Sequence, residues 1–178
     1  MNNDISKKFK KFVSVHNYSF EIQGAETHWY FIEGAHAYKE ELYLASLLAF
    51  FNGIESSIRA TLMYINEGYD KDVLSGKVLS NGLLKDAQKI GLNIEILEFP
   101  NESDFHIKLL SKKTPVELVR NRNNLCHGNV FEYFKELPDT KEKFFTPECL
   151  KELATTIKVI SEKWATEIGS FRKKNILV

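Results

Sequence analysis

Hydrophobic residues recur at steps of three and four along much of the chain, which is the spacing of amphipathic helices. The clearest pattern runs from Tyr38 to Ile65 and predicts a long core helix. A second long helix is predicted from Thr146-Pro147, because threonine caps orphan amide groups and proline suits the first helical position. The apolar positions are Leu44, Leu47, Leu48, Phe51, Ile58, Leu62 and Ile65 in the first helix, and Leu150, Leu153, Ala154, Ile157, Trp164, Ile168 and Phe171 in the second.

Shorter helices are predicted at three further places. One begins at Thr114-Pro115-Val116-Glu117, which has the pattern of a capping box, and ends near Gly128, which suits the left-handed residue after a helix. Another spans Ser80 to Gly91. The third lies near the start of the sequence, on Ile5, Phe9, Phe12 and Val13.

The segment from Asn93 to Leu97 alternates apolar and acidic residues and is followed by Pro100, so we expect it to be extended. No real sheet is expected. Helices that each carry one apolar stripe bury those stripes most simply as an all-α, antiparallel helical bundle of about four to six helices. Because the chain has neither a low-complexity linker nor an internal repeat, residues 1–178 are predicted to form a single helical domain.

Composition narrows the class of protein. The 178 residues are 43% hydrophobic, and 24 basic side chains balance 24 acidic ones, so any surface that binds RNA must be local. Cys126 and Cys149 are too few for a disulfide framework or a thiolate zinc site, which favours a reducing, cytoplasmic location. Since no stretch approaches the roughly 18 apolar residues of a membrane span, we expect no membrane insertion.

The segment from Arg120 to Asn129 reads RNRNNLCHGN, a polar run of the kind that seldom builds a core. Cutting RNA without a metal requires a group with a pKa near neutrality, and the imidazole of His127 is suited to moving the proton. The guanidinium of Arg122 or Arg120 can bind phosphoryl oxygens in bidentate fashion. Asn123 can orient either partner.

This pattern of an arginine, a polar residue, three further positions and a histidine resembles the R-x4-6-H signature of HEPN domains, with Arg122, Asn123 and His127 as the matching residues. The resemblance covers the motif helix closely and the rest of the chain only as a pattern of helices. It implies a small helical bundle that dimerises so that two motif helices face each other. It also implies a metal-independent ribonuclease without a cofactor, in toxin–antitoxin or antiviral systems, often with a nucleotidyltransferase as the neutralising partner.

Helical geometry leaves two arginines as candidates. Arg122 and His127 lie roughly 140° apart on an ideal helix, whereas Arg120 and His127 lie within roughly 20°. The asparagine that follows Arg122 and the freedom of a side chain in the last turn favour Arg122, with Arg120 in support. A histidine in the last turn before a glycine is also what the dipole and cap of a helix C-terminus favour by themselves.

Glu55 lies in the middle of the apolar stripe of the first long helix and therefore needs a partner, because an unpaired buried charge is costly. One alternative is a local pair with Arg59, one turn away. The other is a pair with Arg120 or Arg122, in which Glu55 would fix a guanidinium for phosphate binding.

Four further groups of residues receive no functional assignment. The basic residues near the ends of the sequence are interpreted as solvated helix faces, and the remaining histidines lack the spacing of zinc ligands, so no metal site is expected. The aromatic cluster Trp29-Tyr30-Phe31 could stack bases, but a core or dimer interface is the favoured interpretation. Cys126 is expected to point away from His127. The basic residues are Lys7, Lys8, Lys10, Lys11, Arg172, Lys173 and Lys174, and the histidines are His16, His28, His36 and His106.

Three hypotheses follow. The first is a homodimeric endoribonuclease that leaves a 2′,3′-cyclic phosphate and a 5′-hydroxyl, with Arg122 and His127 from both subunits lining one cleft. The second is a non-catalytic HEPN module that binds a nucleotide or a partner protein. The third is a helical interaction protein outside this family.

Overall fold

The structure, a computed structural model, describes Tyr18, Ile22, residues 27–65 and residues 76–176. These residues form an all-α helical bundle, as the periodicity predicts. The helix predicted on Ile5, Phe9, Phe12 and Val13 lies outside the described residues. The described helices are α1 (His28–Lys39), α2 (Tyr43–Ile65), α3 (Asn81–Lys89), α4 (Phe105–Leu110), α5 (Glu117–Cys126) and α6 (Lys151–Asn175), with 3-10 turns at Ile94–Leu97, Phe131–Tyr133 and Pro147–Leu150.

The first long helix begins later than predicted, because the chain turns between α1 and α2. Tyr38 belongs to α1, and Glu41 adopts a left-handed conformation with φ 59°. The N–H of Leu42 donates to the carbonyl of Ala37 at 2.8 Å, which closes the end of α1. The periodicity missed α1 because apolar and polar residues are spread almost evenly around it.

Helices α1 and α2 are antiparallel and pack closely. A Cβ at Gly34 would lie 2.9 Å from the ring of Phe50, and a Cβ at Gly53 would lie 2.8 Å from the ring of Phe31. The hydroxyl of Ser46 donates to the carbonyl of Gly34 at 2.8 Å. Small residues therefore let the two backbones approach while the aromatic rings fill the remaining space.

The aromatic cluster at the start of α1 is divided between core and surface. Phe31 is fully buried, in agreement with the core interpretation. Trp29 and Tyr30 are exposed in the described chain.

The two long helices run in the same direction, in contrast to the antiparallel pair α1 and α2. From the start to the end of both helices, Lys151 lies over the ring of Tyr43, the indole N–H of Trp164 donates to Ser57 Oγ at 2.9 Å, and Nε of Arg172 donates to Thr61 Oγ1 at 2.9 Å. The predicted stripe of α6 is buried, with Leu153 half-buried.

The interpretation of the basic residues near the end of the sequence as a solvated helix face is wrong for Arg172. Its side chain is buried and joins α6 to α2 through Thr61 and the carbonyl of Ser57, the latter at 3.2 Å. Lys173 and Lys174 are exposed, as expected. In the core, the guanidinium donates hydrogen bonds to protein oxygens in place of the hydrogen bonds that it would make to water.

The prediction of an extended segment from Asn93 to Leu97 is wrong, because Ile94–Leu97 is a 3-10 turn. The side chain of Asn93 accepts a hydrogen bond from the N–H of Glu95 at 3.2 Å and thereby starts the turn. Ile94 and Leu97 are both buried. The spacing of three residues between these two apolar side chains, which suits a 3-10 turn, therefore decides the local structure, and the alternation of apolar and acidic residues does not. The helix predicted from Ser80 to Gly91 is confirmed as α3, with Ser80 as its N-cap.

The sequence predicts no real sheet, and the described residues contain one hairpin whose two strands have two residues each. Strands β1 (Lys135–Glu136) and β2 (Lys143–Phe144) are antiparallel, with Lys135 opposite Phe144. The chain then reaches Thr146 and the 3-10 turn that leads into α6, close to the predicted start of that helix.

None of the helices in the described ranges combines the length and the apolar character that crossing a bilayer requires.

Candidate functional site

The start of the motif helix α5 is held by side chains from other parts of the chain. The predicted capping box of Thr114 and Glu117 is wrong, because Val116 is the N-cap and no side chain of its own caps the helix. The N–H of Glu117 donates to the carboxylate of Glu102 at 2.7 Å, and the N–H of Val116 donates to Asn81 Oδ1 at 3.1 Å. Tertiary contacts thus satisfy the amide groups that a local cap satisfies elsewhere.

Glu102 is a buried carboxylate with a defined structural role. Burial raises its pKa, although hydrogen bonds from the N–H groups of Glu117 and Phe99 act in the opposite direction. Lys108 Nζ lies 3.5 Å away and balances the charge. The carboxylate therefore anchors the beginning of α5 to the chain before α4.

The carboxylate of Glu117 is engaged in ion pairs instead of capping the helix. Lys108 Nζ lies 3.0 Å from one oxygen, and Arg120 Nη2 lies 2.6 Å from the other. Burial raises the pKa of Glu117, but these hydrogen bonds outweigh the burial, and the pKa lies below its ordinary value.

Helix α5 ends where the sequence predicts. His127 is the C-cap residue, and Gly128 has the left-handed φ of +71° that a glycine permits. The N–H of His127 donates to the carbonyl of Asn123 at 3.0 Å. This hydrogen bond holds the backbone of His127 at the end of the helix.

Arg122 meets Glu55 across the interface between α5 and α2. Arg122 Nη2 donates to Glu55 Oε2 at 3.1 Å, and the exposed fractions of the two side chains are 13% and 8%. The same oxygen of Glu55 accepts a hydrogen bond from the N–H of Leu79 at 2.7 Å. The other oxygen lies 3.3 Å from Arg59 Nη1, so both predicted alternatives occur together.

Asn123 extends this cluster. Its Oδ1 accepts a hydrogen bond from Arg122 Nη1 at 3.3 Å. The buried Nε of Arg122 has no hydrogen-bond partner within the described part of the chain. Glu55 and Asn123 therefore fix the orientation of the guanidinium through its two terminal nitrogens, while its Nε–H is unused among the described residues.

Arg120 lies in a separate network on the outer side of α5. It contacts the carboxylates of Glu117 and Glu132, and its side chain is 40% exposed. The hydrogen bond with Glu117 raises the pKa of Arg120. With two carboxylates around it, Arg120 has little charge left for a phosphate, and the structure does not join it to Glu55.

His127 is exposed, and its ring makes no hydrogen bond or ion pair with any other described residue. Nor does a hydrogen bond join it to Arg122 within one chain, in keeping with their angular separation on the helix. The structure thus brings together Glu55, Arg122 and Asn123, and leaves His127 at the end of the same helix. Cys126 is exposed and free.

Two features near the motif escaped the sequence patterns. Asn121 is buried, and its Oδ1 accepts a hydrogen bond from the hydroxyl of Tyr133 at 2.8 Å, so its role is in the packing of the core.

A groove of about 460 Å³ opens beside Asn123, between the start of α3 and the segment 111–115. The pair Lys112-Lys113 was the signal in the sequence that could have pointed to it.

No group of three or more His, Cys, Asp or Glu side chains among the described residues is arranged to hold a metal ion.

No family model matches the sequence, and comparison with curated proteins and with solved structures finds no significant match to the chain.

Proposed function

We propose that this protein is a HEPN-type endoribonuclease that cuts RNA without a metal ion and acts as a homodimer in the cytoplasm. The observation that carries the proposal is the arrangement on α5. A buried carboxylate and an amide hold the guanidinium of Arg122, while the imidazole of His127 is exposed one turn further on. One helix therefore carries a fixed cation for a phosphate and a free group for proton transfer.

The dimer is part of the proposal for a geometric reason. Arg122 and His127 diverge by roughly 140° on one helix, so a single chain does not direct both at one phosphate. A second motif helix facing the first can place the His127 of one copy beside the Arg122 of the other. A two-fold axis would then create two equivalent composite sites.

The proposed reaction is an internal transfer within the RNA. His127 accepts the proton of the 2′-hydroxyl while O2′ attacks phosphorus, and Arg122 stabilises the charge on the phosphoryl oxygens. The bond between phosphorus and O5′ breaks, and O5′ takes a proton from solvent. The imidazolium returns its proton to solvent, which leaves a 2′,3′-cyclic phosphate and a 5′-hydroxyl.

Regulation follows from this activity. An enzyme that cuts cellular RNA must be neutralised until it is needed, so we propose an antitoxin partner. A nucleotidyltransferase is the kind of partner that the resemblance implies.

The first test is incubation of purified protein with total RNA in excess EDTA. We expect the wild type to release fragments ending in a 2′,3′-cyclic phosphate, and His127→Ala to lose this activity by about 100-fold or more. His106→Ala is the matched control, because His106 is also exposed and lies on α4. Cleavage that persists in His127→Ala, or that is absent from the wild type, refutes the proposal.

Two arginine variants separate the candidates on α5. Arg122→Ala should abolish cleavage, whereas Arg120→Ala should retain most of it, because Glu117 and Glu132 already occupy that guanidinium. Glu55→Gln keeps the size of the side chain and removes its charge, so it should lower kcat by loosening Arg122. Unchanged activity in Glu55→Gln would remove Glu55 from the site.

Subunit mixing tests the composite site directly. Neither His127→Ala nor Arg122→Ala should cut RNA alone. If each site takes one residue from each copy, randomly mixed dimers should recover about a quarter of wild-type activity, since half are mixed and each of these has one intact site. No recovery, in a mixture shown to exchange subunits, refutes the composite arrangement.

A second function is favoured by one observation, the 13% exposure of the Arg122 side chain. In a non-catalytic module, the pair of Arg122 and Glu55 would serve only to join α5 to α2, and the protein would bind a nucleotide or a partner protein. RNA binding without cleavage by the wild type would select this alternative.

A further inference from the structure

The groove beside α5 is formed by three parts of the chain. Residues 80–85 at the start of α3 form one wall, the segment 111–115 forms the other, and α5 contributes Val119 and Asn123. Its volume of about 460 Å³ is enough for several non-hydrogen groups of a ligand. The lining residues are Ser80, Asn81, Gly82, Lys85, Ser111, Lys112, Lys113, Thr114, Pro115, Val119 and Asn123.

Asn81 holds the two walls together. Its Nδ2 donates to the carbonyls of Lys108, Ser111 and Thr114 at 2.8, 3.3 and 3.0 Å, and its Oδ1 accepts from the N–H of Val116 at 3.1 Å. The amide of this one side chain is thus bound to the backbone on both sides of the segment 111–115 and within it. The groove is therefore preformed, and a ligand does not have to order the segment 111–115 on binding.

The charge of the groove is positive. Lys85, Lys112 and Lys113 line it, no acidic side chain does, and none of these lysines has an ion pair with another described residue. Lys77 and Lys108 are different, because Asp86 and Glu117 respectively lie within 3.0 Å of their ammonium groups. In a chain with no net charge, three ammonium groups at one groove create a local positive potential that favours an anion.

Asn123 connects the groove to the motif. Its side chain lines the groove, and its Oδ1 contacts the guanidinium of Arg122 at 3.3 Å. A ligand in the groove would therefore lie next to the residue that orients the proposed phosphate-binding cation. The polar residues Ser80 and Thr114 also line the walls.

We propose that this groove binds the phosphate backbone of single-stranded RNA, with Lys85, Lys112 and Lys113 neutralising successive phosphates and Asn123 leading the strand toward Arg122. The inference rests on the proposed function only in taking RNA as the substrate. A chain of evenly spaced phosphates suits three separate ammonium groups around an open groove better than a single compact anion does.

The test measures the binding of a 5′-fluorescein-labelled, 2′-O-methyl RNA of mixed sequence by fluorescence anisotropy at several salt concentrations. The 2′-O-methyl groups prevent cleavage by the 2′-hydroxyl, so binding is measured apart from activity. The variant replaces all three groove lysines by glutamine (Lys85→Gln, Lys112→Gln, Lys113→Gln). The matched control carries the same change at three exposed lysines elsewhere, namely Lys39, Lys163 and Lys174.

We expect the groove variant to bind at least about tenfold more weakly than the wild type, and the control to bind within about twofold of it. The slope of log K against log salt should fall by about 2 in the groove variant, since each lost phosphate contact on a single strand contributes about 0.7. Far-UV circular dichroism of both variants verifies that they are folded. ATP at equimolar concentration should not displace the RNA.

Each other outcome overturns a defined part of the proposal. Equal binding by the wild type and the groove variant refutes the groove and leaves the ribonuclease proposal untouched. Displacement of the RNA by ATP refutes the proposal that the groove binds an RNA strand and indicates a site for a free nucleotide. A wild type that fails to bind this RNA refutes the groove proposal, and cleavage of unmodified RNA then decides the ribonuclease proposal by itself. Binding that depends on the groove without any cleavage of unmodified RNA refutes only the ribonuclease.

Discussion

The ion pair between Glu55 and Arg122 offers the sharpest test of how the motif helix is held. Two unit charges 3.1 Å apart attract by about 5 kcal/mol at an effective dielectric constant of 20. Desolvation of two nearly buried side chains removes part of this gain, and a net coupling of about 2 kcal/mol remains. We therefore expect Glu55→Gln to cost about 3 kcal/mol of unfolding free energy and Arg122→Met about 2 kcal/mol. The double variant should lose about 3 kcal/mol rather than the sum.

The order of the two single variants has a structural reason. Glu55 also accepts the N–H of Leu79 and contacts Arg59, so its loss affects three partners, whereas the loss of Arg122 leaves Glu55 with two of them. Arg59→Met is the matched control on the same carboxylate. The side chain of Arg59 is 27% exposed, and its Nη1 lies 3.3 Å from Glu55 Oε1. Because solvent screens such a pair, the coupling of Arg59 with Glu55 should stay below about 1 kcal/mol.

The assay is equilibrium unfolding in urea at neutral pH. Two probes are available, the far-UV circular dichroism and the tryptophan fluorescence, to which Trp164 contributes as a buried indole hydrogen-bonded to Ser57 and Trp29 as an exposed one. Coincidence of the two transitions justifies a two-state treatment. A coupling of Glu55 with Arg122 that is no larger than its coupling with Arg59 would refute the conclusion that this pair fixes α5 on α2.

Two further predictions concern packing and pH. Gly53→Ala should lower the unfolding free energy by about 1–3 kcal/mol in the same urea assay. The new Cβ would lie 2.8 Å from the ring of Phe31, which is fully buried and has no room to move away. An unchanged unfolding free energy would show that α1 and α2 separate at little cost. The lowered pKa of Glu117 makes its contribution to stability complete above the ordinary value of 4.5 and lost as the pH falls through the lower folded value. Glu117→Gln should therefore be less stable than the wild type at neutral pH and lose less stability between about pH 5 and pH 3, and parallel pH profiles of the two proteins would contradict this.

How far the sequence patterns reach depends on the range of the interaction. The stripe of α6 and the end of α5 at Gly128 follow from spacing along a few turns, and both are as predicted. The start of α5 is different, because its amide groups are satisfied by Glu102 and Asn81, which are 15 and 35 residues away in sequence. A local capping pattern cannot reveal donors and acceptors that the fold supplies from elsewhere.

The candidate site divides in the same way. The position of Glu55 in an apolar stripe was enough to require a cationic partner, because burying an unpaired carboxylate costs more than a helix gains. Only the packing of α5 against α2 selected Arg122 and left Arg120 to the carboxylates outside. The sequence by itself therefore determined which side chains are polar, apolar or in need of a partner. The tertiary structure decided which partners meet, because that depends on the directions in which distant helices bring their side chains.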